Sequence, residues 1–395
     1  MAEKREVVVV SAVRTAIGTF NGTLKDFSSS QLGTIAVKEA IARAKIDVAQ
    51  IGHLVCGNVI HGEARDMYVS RAIALDAGMV KESCALTLNR LCGSGLQAII
   101  TAANAIQLGD TDAAVGCGVE TMSRSGYLAP AMRFGARMGD TKMIDMMVGA
   151  LTDPFSPNHM GITAENVAAQ FGITREDQDA FALESQRRAA AAIDAGHFKS
   201  QIVPIEIQTR KGTTIFDTDE HPKRDTTPES LAKLKSAFKK DGTVTAGNAS
   251  GINDGAAAVV LMEAGAAAKA GAKPLARLVS YAVAGVEPSI MGTGPIPAVR
   301  LALKRAGLTV ADMDVIESNE AFAAQACSVN KELGLDTRKV NPNGGAVALG
   351  HPLGATGAIL TVKCLAELAR TSKRYGLVTM CIGGGQGIAA IFERI

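Results

Sequence analysis

Asn89-Arg90-Leu91-Cys92-Gly93-Ser94-Gly95 is the stretch around which the chain is organised. A cysteine stands in a turn of glycines and serine, followed by an apolar run from Leu96 to Leu108 that stops at Gly109. A run of that length without proline reads as a buried helix, with Gly109 supplying its left-handed terminus. Cys92 then lies at the N-terminus of a core helix, where free N–H groups and the helix dipole favour a thiolate. The same residue reads equally as a small buried apolar side chain, since free cysteine is among the most buried types.

Outward from this turn, short strands and helices alternate. Val7 to Val13 is a β-branched run suited to a strand covered on both faces. Ser28 to Ser30 offer N-caps for a helix through Arg43. Leu54–Ile60, Ala85–Leu91 and Asp112–Glu120 read as strands, the last closed by Gly116-Cys117-Gly118, and Tyr68–Ala77 as a helix. This alternation indicates an α/β layer fold. After Glu120 the character changes. Tyr127 to Lys142 is a long excursion, Thr163–Phe171 and Thr174–Ala195 are helices, Lys211–Arg224 is charged and turn-rich, and Thr227-Pro228 starts a helix through Phe238. A second series begins near Lys273: strands at Ala276–Ala284, Asp314–Glu317 and Leu377–Met380, helices at Pro297–Ala306, Ala321–Leu333 and Gly354–Ala369. The order glycine turn, apolar helix, strand, Cys-Gly occurs in both series, at Cys92–Gly118 and at Gly354–Gly383, and reads as a duplication.

With 395 residues, two or three domains are expected. The expected division is 1–121 with 245–272 as one core domain, 122–244 as an inserted loop domain, and 273–395 as a second core domain. A formal net charge of +2 without basic runs disfavours nucleic acid. Seven cysteines without paired spacing argue for a reducing compartment and against structural zinc, so no metal is expected. The polar start from Met1 to Glu6 has no signal-length apolar segment, and the apolar runs read as too short or interrupted to span a bilayer; the expectation is a cytoplasmic protein without a membrane partner.

Reactive residues gather in four glycine-dense stretches: Cys92; Asn319-Glu320-Ala321-Phe322; Gly344 to Gly354 around His351; and Cys381 with Gly383-Gly384-Gly385-Gln386-Gly387. His351 stands between Gly350 and Pro352, on a turn, and no other histidine shares such a setting. The last glycine run is weak as a nucleotide signal, because no acidic residue and no later strand completes the unit. Two cysteines and a histidine suggest a division of labour. One thiolate attacks a carbonyl, the histidine takes its proton, and the second cysteine moves a proton at carbon or on a leaving thiol. Backbone N–H groups of the glycine turns can face a developing oxyanion.

These four motifs, in this order and over essentially the whole chain, resemble the signatures of the thiolase family, in its acetyl-CoA acetyltransferase and 3-ketoacyl-CoA thiolase branch. The resemblance implies a thiolase-like α/β fold, with two duplicated domains in αβαβα layers plus a loop domain over the site, and a homo-oligomer, a dimer or a dimer of dimers. It implies reversible condensation of acetyl-CoA with a short acyl-CoA, with coenzyme A thioesters as substrates and no bound cofactor. Broader degradative thiolysis and a non-catalytic acyl-CoA-binding scaffold are the rival readings, and a ketoacyl synthase-like enzyme is disfavoured by Cys381. By the resemblance Cys92 is the nucleophile, His351 its base and Cys381 the acid/base for the α-proton. Asn319, through a water, and the N–H groups of Cys92 and Gly383 serve the oxyanions. His159, Met160, Ala246, Ser250, Ala321 and Phe322 line the coenzyme A path, and Met291 lies near the acyl pocket. Lys223 or Arg224 meets phosphate.

Overall fold

The computed structural model describes residues 5–210 and 212–395; the expected polar start at Met1–Lys4, and Lys211, lie outside the described residues. Its centre is an eleven-stranded sheet system. Nine strands form its main path: β1 (Val7–Thr15), β2 (Ile51–Gly57), β3 (Cys84–Leu88), β4 (Ala113–Thr121), β5 (Asn253–Glu263), β6 (Ala276–Gly285), β7 (Val315–Ser318), β8 (Tyr375–Ile382) and β9 (Gln386–Arg394). Their spatial order is β7-β8-β9-β6-β1-β5-β4-β2-β3. Val7 to Val10 are all buried, as a strand covered on both faces requires.

The two halves have one topology. In the first, β1 runs antiparallel to β5, β5 antiparallel to β4, and β2 parallel to both β4 and β3. In the second, β6, β9, β8 and β7 repeat this pattern. The counterpart of β3 is reduced to a parallel bridge between Ile316 and Val340. The halves join where Val8 and Val9 of β1 pair with Arg277 and Ala276 of β6.

Helices α1 (Ser29–Ala44), α2 (Ser94–Leu108), α3 (Met160–Phe171), α4 (Arg175–Asp194), α5 (Pro295–Ala306), α6 (Ala323–Leu333) and α7 (Leu353–Thr371) complete the frame. α1 covers β1, β4 and β5 from outside, and α5 covers β6 and β9. α2 and α7 pack against each other between the two halves, which yields the expected αβαβα layering. Leu96, Ile99, Ile100 and Ile106 of α2 are fully buried, each burial stabilising by about 2 kcal/mol. Leu91–Leu108 is long and apolar enough by length and composition to cross a bilayer, contrary to the sequence expectation, but here it is this middle-layer helix.

Polar caps set several boundaries. Ser28 and Gln31 form a capping box on α1, and Thr174 and Asp177 another on α4. Other boundaries differ from expectation. β4 continues past Gly116-Cys117-Gly118 to Thr121, because β5 extends its ladder there while the pairing with β2 ends at Gly118. Gly212–Phe216 is a strand that forms a hairpin with Ile205–Thr209, not a turn-rich run. The helix at Pro228 ends at Ala232: only Leu231 is buried in it, and the chain straightens so that Ala237 pairs with Val244 and Phe238 reaches His159. Within 122–244, Ile202–Val203 joins the central system by pairing with β1. The glycine run after Cys381 is the turn of a hairpin closed by β9, with Gly384 at φ 80° and Gly385 at φ 86°, values that favour glycine.

The middle layer depends on missing side chains. A Cβ on Gly95 of α2 would stand 2.7 Å from the Ala358 nitrogen and 2.8 Å from the Gly354 oxygen of α7. Gly95→Ala is therefore expected to destabilise by about 1–3 kcal/mol in urea melts despite alanine's better helix propensity. Gly149→Ala, with open space around its Cβ, should be neutral or slightly stabilising. Equal melts for both variants would contradict this account of the helix crossing.

Candidate active site

Both middle helices begin at one place. The turn before α2 is pinned by polar side chains: Asn89 Oδ1 accepts from the Leu91 nitrogen at 2.8 Å, and Ser94 Oγ accepts from the Arg90 nitrogen at 2.8 Å while donating to the Leu91 carbonyl at 2.7 Å. Leu91 is thereby held at φ 44°, a costly conformation for leucine. Cys92 follows, half-buried and packed with Ile60, Met122 and Leu353. The turn before α7 carries Gly350 at φ 106° and then His351, whose backbone N–H donates to Asn253 Oδ1 at 3.0 Å.

The expected thiolate is not the resting state. Burial pushes the Cys92 thiol up to about 11, even though the Gly383 backbone N–H faces the sulfur and pulls it back. Desolvation outweighs the helix terminus. Cys381 is fully buried, and burial followed by the nearby Cys92 pushes its thiol up further still.

His351 is the complementary partner. Burial lowers its pKa to about 4, so the imidazole is neutral at pH 7. Thr356 Oγ1 donates to the Pro352 carbonyl at 2.9 Å and lies 2.6 Å from His351 Nδ1. With its proton committed to Pro352, the hydroxyl accepts from Nδ1–H, and Nε2 is left bare as an acceptor. Asn319 Nδ2 lies 3.4 Å from that Nε2. A neutral base and neutral thiols can form an ion pair by proton transfer.

A cavity of about 500 Å³ opens above His351. It brings together His159, Lys223, Ala246, Ser250, Phe322 and His351 of the expected residues. His159 caps α3 by accepting from the Gly161 nitrogen at 3.0 Å and stacks on Phe238 with ring centroids 4.6 Å apart. Ser250 donates its backbone N–H to the Ala321 carbonyl at 3.0 Å, tying the cavity wall to the second half. Met160, Met291 and Ala321 do not line it; they belong with Cys381 to one buried apolar cluster. Arg224 does not line the cavity: it pairs with Asp194 at 2.9 Å, whereas Lys223 lines it, and no ion pair holds Lys223 among the described residues.

Several participants were not singled out from sequence. Thr356 lies in the Gly354-Ala355-Thr356-Gly357 run that opens the second apolar helix. Glu120 is the last residue but one of β4, after Gly116-Cys117-Gly118; an acid at the end of an apolar strand was the available signal. Glu120 accepts from Asn58 Nδ2, from the nitrogens of Val59 and Ile60, and from the Gly354 nitrogen at 2.7 Å. Burial nevertheless raises its pKa to about 8. Asn253 and His221, beside His351, carry no motif beyond the His221-Pro222 pair.

Residues 7–265 match the family model described as the thiolase N-terminal domain, and residues 272–394 the thiolase C-terminal domain. The chain is 63% identical to the beta-ketothiolase BktB of Cupriavidus necator over 392 residues, covering 99% of this chain and 100% of that protein. It is 52% identical to the acetyl-CoA acetyltransferase of Escherichia coli over 393 residues, with the same coverage. The crystal structure of human mitochondrial 3-ketoacyl-CoA thiolase superposes with a TM-score of 0.98 at 45% identity, covering 100% of both chains; that thiolase in complex with CoA gives 0.96 at 45% identity, covering 100% and 99%. Matched from β1 to β9, the chain belongs to the thiolase family.

Proposed function

We propose that the chain runs its thiolase reaction in two half-reactions through an acyl-cysteine at Cys92. His351 Nε2 takes the Cys92 proton, the thiolate attacks an acetyl-CoA or short acyl-CoA, and CoA leaves as a thiol carrying the proton of Cys381, which becomes a thiolate. That thiolate removes an α-proton from a second acetyl-CoA, the enolate attacks the acyl-cysteine to form a 3-ketoacyl-CoA, and the released Cys92 thiolate takes its proton back from His351. The reverse is thiolysis. One observation carries this reading: a neutral imidazole on the wall of a ligand-sized cavity, on the turn before a helix whose start meets that of the Cys92 helix, with Cys381 near Cys92 and both thiols neutral. The Gly383 N–H facing Cys92 supports one oxyanion site, together with the Cys92 N–H. Asn319, whose Oδ1 has no partner among the described residues, supports a second with His351 through a water.

In this reading 122–244 is a cover over the two cores, 1–121 with 245–272 and 273–395. It contributes Met122, Leu151, His159, Lys223 and Phe238 to the cavity. The human relative solved with CoA supports a CoA-shaped occupant. The chain also reads as a homo-oligomer. β3 is a sheet edge with Leu86 exposed, and Tyr127, Leu128, Met132, Phe134 and Met138 are exposed nearby in sequence to one another. An open edge and a cluster of exposed apolar side chains favour burial against a second copy.

Acetyl loading measured by mass tests the chemistry. Wild type given acetyl-CoA alone should gain one acetyl group on the Cys92 peptide, and Cys92→Ser should lose nearly all turnover. Cys381→Ala should still load but not exchange the α-protons of acetyl-CoA with deuterated solvent, whereas His351→Ala should load at least about 100-fold more slowly. Acetyl found only on Cys381, or normal exchange in Cys381→Ala, would require the roles to be redrawn. For the phosphate contact, Lys223→Ala should raise KM for acetoacetyl-CoA about tenfold but leave a pantetheine thioester unaffected, and Arg224→Ala should change neither. Equal losses with both substrates would move the phosphate site away from Lys223. In sedimentation at micromolar concentration the mass should be that of a dimer or larger; a monomer would sink the oligomer reading.

A further inference from the structure

Behind the His351 turn lies a second histidine whose proton position is determined by its neighbours. Asn253 Oδ1 accepts from the His351 backbone nitrogen at 3.0 Å, and Asn253 Nδ2 donates to the Gly18 carbonyl at 3.0 Å. A backbone N–H on one side and a carbonyl on the other leave no choice in how the amide is turned. Its second N–H faces His221 Nδ1 at 3.4 Å. Two N–H groups cannot point at each other, so Nδ1 is bare and the ring proton sits on Nε2. Burial, and then the nearby Lys223, lower the His221 pKa to about 4 and keep the ring neutral. Nε2–H has no hydrogen-bond partner among the described residues and is not one of the sealed-off polar atoms. His221 lines the same cavity as His351. The ring lies over Gly251, where any Cβ would collide with it.

Resting on the thiolase reading above, we propose that His221 is a substrate-binding residue whose Nε2–H donates to an amide carbonyl of the pantetheine arm of the acyl-CoA. Only Asn253 separates His221 from the backbone of His351, so the ring stands near the His351 turn with Nδ1 toward it, and its Nε2 edge lies beside Gly251 of the cavity wall. An acyl-CoA presents there, next to the thioester, an amide that needs a neutral donor. The phosphates suit a cation, and Lys223 on the same wall offers one.

The experiment is thiolysis of acetoacetyl-CoA and of acetoacetyl-pantetheine, which keeps the amides and lacks the nucleotide. It compares wild type, His221→Asn and His221→Gln. Asparagine retains an acceptor for Asn253 but is too short to reach the cavity; glutamine restores an N–H near the Nε2 position. His221→Asn should raise KM about five- to tenfold for both substrates with kcat nearly unchanged, and His221→Gln should recover most of that loss. A KM unchanged in His221→Asn, a rise confined to the CoA substrate, or a fall in kcat at constant KM would overturn the proposal. The last two would assign His221 to phosphate or to support of His351. Wild type inactive on both substrates would instead overturn the thiolase reading itself.

Discussion

The structure depends on the backbone-to-backbone approach of α2 and α7. Gly95 lies against Gly354 and Ala358, Gly357 against Leu96, and Gly118 of β4 against the Gly354 oxygen at 2.5 Å from where its Cβ would stand. Interiors are close-packed, so four side chains of zero size fix the helix separation more firmly than any attraction could. Both helices start beside this contact. Each presents unsatisfied N–H groups there, and the residue just before each cap is one proposed to react: Cys92 ahead of Gly93, His351 ahead of Pro352. Loosening the crossing by one methyl would separate these two turns as well as weaken the core.

Burial then sets the protonation states. A thiol near 11 and an imidazole near 4 are both uncharged at neutral pH, so the resting site holds no isolated ion in a poor dielectric. Reactivity is a property of the pair. In the proposed reaction charge forms only when Nε2 takes the thiol proton, and the new thiolate then stands beside the Gly383 N–H and the N-terminus of α2. Thr356 is decisive here, because its hydroxyl keeps the Nδ1 proton in place and leaves the lone pair of Nε2 free to accept.

The layers were legible in the sequence because local rules carry them, and the three residues proposed as reactive stand out there by residue type. Capping boxes at Ser28 and Thr174, left-handed glycines at Gly109 and Gly172, and β-branched runs at Val7 act over a few residues. The hairpin at Gly212 and the short helix at Pro228 were not legible. Their fate is decided by pairing with Ile205–Thr209 and by the reach of Phe238 to His159, both tertiary. The same holds within the site. Cys92 and Cys381 announce themselves by chemistry, but Thr356, Asn253, His221 and Glu120 act through partners as distant in sequence as Glu120 and Gly354, which no window could join.

The duplication explains why the site is asymmetric. By strand register, Cys381 faces Gly387 one residue before the end of its pairing, and Glu120 faces Gly255 one residue before the end of its own. Cys381 and Glu120 thus occupy equivalent places in the two halves, as Cys92 and His351 do before the two helices. Two equivalent sites would each leave a helix N-terminus open. In the first half the strand-end position carries Glu120, which accepts from Gly354 at the start of α7 and from the loop at Val59 and Ile60, so that terminus is closed by the protein's own carboxyl. In the second half the strand end carries Cys381, which closes nothing and stays beside Cys92. One carboxyl in place of a thiol therefore turns one of two equivalent helix starts into a structural joint, and leaves the other, with Cys92 on it, as the one proposed to take substrate.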